Sequence, residues 1–233
     1  MTPRPWPAAV HGHAAGMLLA FETTGRSGTA CLCADDGREL AYAALDGVPS
    51  EAGLVPMLDR LCREHGRPTT LAIAAGPGSF TGLRVGITAG RSIAWLDQIP
   101  VHPVDSLAAC AAMAGDGLWW VAMPLKKDTT FHGVFQMAAG RLTIVRPSVA
   151  VQDADALPFV VPAEAAAIGP ALATKPGLVE RLSPGVRLGS PAGPDARGVA
   201  RLAAQVPAVA WDALLPVYGQ EPAPVLQRRA AGR

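Results

Sequence analysis

Three groups of residues in this chain have the side-chain types and spacing that chemistry would use. Glu22, Thr23 and Thr24 put a carboxylate and two hydroxyls at the end of an apolar run, types suited to a Mg²⁺-bound phosphate in phosphoryl transfer. The segment GPGSFTG, residues 76–82, places backbone N–H groups at a helix start, where anions bind. The histidines and cysteines are the candidate metal ligands.

None of the three makes a complete site. Phosphoryl transfer also needs a second glycine-containing phosphate turn and an adenosine loop. The segments available are PLKKDTTF, residues 124–131, which has no glycine, and Ile168-Gly169-Pro170. GPGSFTG lacks the Gly-Lys-Ser/Thr ending of a Walker loop and the spacing of a dinucleotide fold. Ser79 has no adjacent base, as a peptidase nucleophile requires, and is better explained as a helix cap. His65 ends its helix alone, His102 and His132 stand far apart, and His11 with His13 lacks a third ligand. Cys31 and Cys33 alternate along a strand, Cys62 and Cys110 fall in helices, and buried thiols acting as small hydrophobes account for all four. No cofactor and no metal are expected on this chain.

The elements that carry these residues are organised around residues 71–96, LAIAAGPGSFTGLRVGITAGRSIAWL. The apolar run 71–75, ended by Gly76, Pro77 and Gly78, predicts a buried strand and a turn, with Ser79 as N-cap of a long helix. Gly82, Gly86 and Gly90 recur every four residues and share one helix face. Each costs about 1 kcal/mol relative to alanine, so close backbone approach must offset the loss. Phe80, Leu83, Ile87 and Ala94 form an apolar stripe suited to a sheet, and the glycines with Ala89 and Ile93 an adjacent smooth one. Thr81, Arg84, Thr88, Arg91 and Ser92 make a polar face that includes Trp95. Such a helix needs cover on two sides, from the same chain or from a partner. The partner reading assigns close approach to Gly82, Gly86 and Gly90, with Leu54, Leu58 and Leu61 of the preceding helix beside them. Arg84 and Arg91 would pair with acidic groups of that partner.

In chain order, residues 1–16 carry three prolines and no continuous apolar segment, and are expected as a disordered extension and not a signal peptide. Strands over 17–24, 29–34 and 39–45 make an antiparallel meander. A helix over 50–65 is capped by Ser50 and stopped by Gly66. After the 71–96 unit come a linker with Pro103 and a small helix over 106–114. From residue 118, LWWVAMP, TTFHGVFQMA and RLTIVRPSV predict three strands and AAIG a fourth. Helices are expected over 170–182 and 195–205. The expected division is an extension 1–16, a first lobe 17–115, a smaller second lobe 116–194, and a helix and proline-rich tail 195–233 packing back on the first lobe. Twenty basic and 19 acidic residues leave the surface nearly neutral, which argues against autonomous nucleic-acid binding. No apolar run approaches a membrane span, and a cytoplasmic location is expected.

Three strands, helix, strand, helix resembles the first half of the duplicated α/β fold shared by actin, hexokinase and acetate kinase. That fold has two lobes of mixed sheets flanked by helices, with ATP between them. GPGSFTGLRVGITAGRSIAW closely resembles the signature of the bacterial TsaB (YeaZ) family, a subunit of the machinery that makes threonylcarbamoyladenosine in tRNA. LLAFETT, PSEAGLVPMLDRL and LLPVYGQ resemble that family's first strand, first helix and C-terminal segment. The resemblance implies an actin-like, non-catalytic subunit whose first two helices contact a TsaD-type catalytic paralogue, with a TsaE-type ATPase joining. ATP and metal would sit on those partners, tRNA would be reached only through the complex, and a homodimer is the fallback.

The resemblance also implies that Glu22, Thr23 and Thr24 are a vestigial phosphate loop, the family usually having Asp at position 22. Two other departures are Pro49-Ser50-Glu51 in place of His-Ser-Glu, and residues 124–131 in place of Asp-Ala-Arg-x-x-Glu-x-Tyr. The second removes charged groups from the cleft. The competing expectation is an ATP-dependent phosphotransferase of the same superfamily.

Overall fold

The computed structural model describes residues 16–25 and 27–219. The expected extension therefore lies, but for Gly16, outside the described residues, as does the tail beyond Gly219. The first half runs β1 (Met17–Glu22), β2 (Thr29–Ala34), β3 (Glu39–Ala44), α1 (Ser50–His65), β4 (Thr70–Gly76), α2 (Phe80–Asp97), β5 (Val101–Asp105) and α3 (Ser106–Ala114). The second runs β6 (Gly117–Lys126), β7 (Thr129–Ala138), β8 (Arg141–Gln152), β9 (Ala166–Ile168), α4 (Ala171–Thr174), α5 (Leu178–Leu182), β10 (Arg187–Leu188) and α6 (Ala196–Ala203).

The two halves repeat one topology. The first sheet has the order β3-β2-β1-β4-β5 and the second, read from its other edge, β8-β7-β6-β9-β10. In each, the first three strands pair antiparallel and the last two join parallel to the first. Strand β1 is central and covered on both faces, so its side chains divide by parity. Leu19 and Phe21 enter a core with Leu54, Leu58, Leu61 and Ile87 of α1 and α2. Ala20 faces the other way, with Ala72 and Ala74 of β4, into a core shared with α3, α6 and the second sheet. Small residues on that face let two helices sit between the sheets. Helix α3, SLAACAAMA, is apolar all round and buried over Ser106–Ala112, as a helix enclosed on every side must be.

Several expectations need correction. Pro49, not Ser50, occupies the N-cap of α1, with no side-chain cap bond, and Ser50 is the first helical residue. The single helix expected over 170–182 is two short ones, because Pro176 lacks an N–H and Gly177 takes a left-handed conformation (φ 79°). The linker around Pro103 is strand β5. It is an edge strand, where a missing donor is tolerated, and Pro103 aligns with Ile73. Beyond α6, Val209 bridges Val101 antiparallel, Leu214 is fully buried against the first lobe, and the Val217 N–H donates to the Ala75 carbonyl (2.7 Å).

Candidate functional site

The β1–β2 turn is closed on itself. The Glu22 carboxylate is wholly buried and accepts hydrogen bonds from the Thr24 N–H, the Thr24 hydroxyl and the Gly25 N–H (3.0 Å). Its second oxygen, Oε2, is buried without a partner among the described residues. Burial pushes the carboxyl up to about 7 against the pull of these donors, and the nearby Asp195 adds to the rise. The Thr24 hydroxyl also lies 3.1 Å from that of Ser106 at the start of α3. The Thr23 hydroxyl donates to the Gly82 carbonyl (2.7 Å), and the Ser79 N–H donates to the Thr24 carbonyl (3.0 Å). Ser79 is the N-cap of α2, its hydroxyl accepting from the Gly82 N–H at 3.3 Å, as the sequence predicts.

The glycine stripe faces inward, which corrects the partner assignment of Gly82, Gly86 and Gly90. A Cβ on Gly82 would collide with the Thr23 carbonyl oxygen, one on Gly86 with the Thr23 hydroxyl, and one on Gly90 with the Ile73 side chain. All three glycines are buried against their own chain. Leu54, Leu58 and Leu61 are likewise core residues beneath α1. The close approach inferred from sequence is real, but the β1–β2 turn and β4 provide its other side.

What α2 shows outward is its polar face. Arg84 is exposed, its guanidinium 4.0 Å from the Phe80 ring centroid, and half-buried Arg91 lies 5.7 Å from the Trp211 ring. Phe80, expected on the sheet-facing stripe, is 51% exposed and stacks on Tyr218 (5.0 Å between centroids). Trp95 is 54% exposed and meets Trp211 edge-on at 6.5 Å. Trp211 and Tyr218 were not legible as site residues because their segment has no periodicity. The signals were aromatic type in a proline-rich stretch and, for Tyr218, its place in LLPVYGQ.

The actin-like topology would place ATP and Mg²⁺ at the β1–β2 and β6–β7 turns, and the residues there do not fit them. A phosphate cradle offers N–H groups outward, whereas those of Thr24 and Gly25 point onto Glu22 of the same turn. At the other turn, Thr130 donates to Asp153 (2.7 Å), and Lys175 reaches Asp153 (2.6 Å) and the Thr129 carbonyl (2.9 Å). Among the described residues, no three His, Cys, Asp or Glu side chains come together as metal ligands. A groove of about 730 Å³ opens at the far end of the interlobe seam, lined in part by Leu18, Cys33, His102, Asp116 and Arg201; it holds none of the phosphate-loop or partner-face candidates, and of the candidate metal ligands only Cys33 and His102.

Residues 51–121 match the family model described as TsaD: tRNA N6-adenosine threonylcarbamoyltransferase. The tRNA threonylcarbamoyladenosine biosynthesis protein TsaB of Bacillus subtilis is 36% identical over 87 residues, covering 36% of this chain and 38% of that protein. The TsaB protein of Haemophilus influenzae is 37% identical over 65 residues, 26% and 28% of the respective chains. These alignments thus span well under half the length of either curated relative. The solved structure of YeaZ from Pseudomonas aeruginosa superposes with a TM-score of 0.73 at 27% identity, over 87% of this chain and 99% of that one. Two mixed sheets of repeated order with helices packed on their faces define an actin-like protein. Within that class, the chain is similar to proteins of the TsaB (YeaZ) family in both sequence and fold.

Among the described residues, no helix is long and apolar enough to cross a membrane.

Proposed function

We propose that this chain is a non-catalytic subunit that supports a TsaD-type transferase in forming threonylcarbamoyladenosine in tRNA, in the cytoplasm. The observation that carries the reading is where the polar groups of its first lobe point. At the cleft, Glu22, Thr23 and Thr24 are spent on one another and on α2, while on the outer side of α2 Arg84 and Arg91 have aromatic neighbours and, among the described residues, no carboxylate. A phosphotransferase would show the reverse. The TsaB names of the sequence relatives supply the pathway. In this reading ATP belongs to a TsaE-type ATPase, metal to the TsaD-type partner, and tRNA is met only in the assembled complex.

The test is removal of the gene from its own organism, followed by mass spectrometry of the tRNA nucleosides. Loss of threonylcarbamoyladenosine, restored by the wild-type chain and by the Glu22→Gln variant, is expected. An unchanged nucleoside profile contradicts the reading.

A further inference from the structure

After α6 the chain returns to the first lobe and then crosses to the second. Val209 exchanges both backbone hydrogen bonds with Val101 of β5, and Leu214 is fully buried in the first-lobe core. The Val217 N–H donates to the Ala75 carbonyl at the end of β4. Two residues on, Gly219 lies against the ring of Phe131 near the start of β7, and that ring is fully buried in the core between the sheets. Ala75 belongs to one sheet and Phe131 to the other, so residues 214–219 span the mouth of the interlobe cleft.

Two glycines make the crossing possible. Gly76 has a φ of 114°, and a Cβ there would collide with the Val217 carbonyl oxygen. Gly219 has a φ of 62°, and a Cβ there would collide with the Phe131 ring. A second tie lies at the same mouth, where the Ser148 hydroxyl on β8 donates to Asp105 at the end of β5 (2.8 Å). On the other side of the seam α3 and α6 join the lobes through buried apolar packing. The mouth has little such packing. Leu215 is 63% and Val217 53% exposed, and a pocket of about 250 Å³ remains beneath them, lined in part by Pro103, Val104 and Asp105. Beyond Leu214 the segment is held by the Val217 bond, the Tyr218 ring on Phe80 and the Gly219 contact. A segment with so few buried contacts opens at lower cost than the core.

We infer that residues 214–219 are a strap that sets the angle between the lobes. Engaged on Phe131, the strap holds the cleft shut; released from Phe131, it lets the lobes turn about the seam that α3 and α6 form. The hold is short-range, so loss of one backbone donor or of one glycine releases it. It is also intramolecular, and does not depend on whether the chain binds a TsaD-type protein. If the segment were only an extension of the first-lobe core, its loss would cost stability without changing the relation of one lobe to the other.

The test is the distance between spin labels on the two lobes of the full chain, measured by double electron–electron resonance. Glu51→Cys on α1 and Glu180→Cys on α5 are exposed label sites, and the four native cysteines are buried. This parent should give one narrow distance. Val217→Pro removes the donor to Ala75, and Gly219→Val drives a side chain into the Phe131 ring. Each should broaden the distribution and move its mean by several ångström while far-UV circular dichroism stays unchanged. Leu215→Ala, at an exposed strap position, should match the parent. An unchanged distribution in either folded variant overturns the inference, as does a broad distribution in the parent. Unfolding of both variants makes the segment ordinary core and also overturns it.

Discussion

The Thr23 hydroxyl donates to the Gly82 carbonyl at 2.7 Å, and this bond locks the β1–β2 turn to the first turn of α2. Glycine at position 82 makes it possible, since any Cβ there would overlap the Thr23 carbonyl oxygen. The turn that would hold phosphate and the helix that faces outward are one rigid unit.

Gly82→Ala should therefore destabilise the protein by about 2–3 kcal/mol, because backbone must shift to admit one methyl group. Urea unfolding checks this. On an open helix face the same substitution would stabilise by about 1 kcal/mol, so the sign of the change decides whether the glycine face is internal.

Glu22 makes stability depend on pH. Its carboxyl keeps its proton to about pH 7 in the folded chain, against an ordinary value of 4.5. The folded state thus binds the extra proton, and the contribution is complete below pH 4.5 and lost as pH rises through 7. Over that interval the loss is about 3 kcal/mol. Glu22→Gln removes it. Unfolding free energies of the variant minus wild type should rise with pH between 4.5 and 7; a flat difference would show that Glu22 is solvated.

His132 acts in the opposite sense. It is 1% exposed, and among the described residues neither of its ring nitrogens nor the buried indole nitrogen of Trp120, the rings 5.6 Å apart, has a hydrogen-bond partner. Burial lowers the imidazole to about 4 from 6.5, Asp153 opposing and Lys175 assisting. Its contribution is complete above pH 6.5 and lost as pH falls through 4, again by about 3 kcal/mol. Between pH 4.5 and 6.5 the two residues nearly cancel. In that range His132→Gln stability should fall more steeply with rising pH than that of wild type. A His132 ring that titrates near 6.5 by NMR contradicts the assignment.

Mg²⁺-ATP at millimolar concentration should leave the melting temperature unchanged, since the β1–β2 turn is saturated by its own carboxylate. A rise of several degrees would show that the turn opens to nucleotide.

Much of the fold can be read from local pattern. The bounds expected for β2 and α3 are the observed ones, because each is a short, nearly continuous apolar run whose extent is set locally. Strand β5 is not legible, since Pro103 reads as a breaker unless the strand is known to lie at an edge. The glycine stripe of α2 announces close approach but not its partner. Period alone cannot tell the Thr23 carbonyl from another protein, and so Gly82, Gly86 and Gly90 pointed inward where an interface was expected. Arg84 and Arg91 were legible as outward residues. The Trp211 ring beside Arg91 and the Tyr218 ring on Phe80 were not, because they reach α2 from more than a hundred residues away along an irregular segment.

The most direct measurement is the molar mass, by light scattering, of this chain mixed with the TsaD-type protein of its own organism. The expected result is a species whose mass is the sum of the two chains or a multiple of that sum. Two separate species at every mixing ratio would contradict the claim that this protein works as a partner-binding subunit.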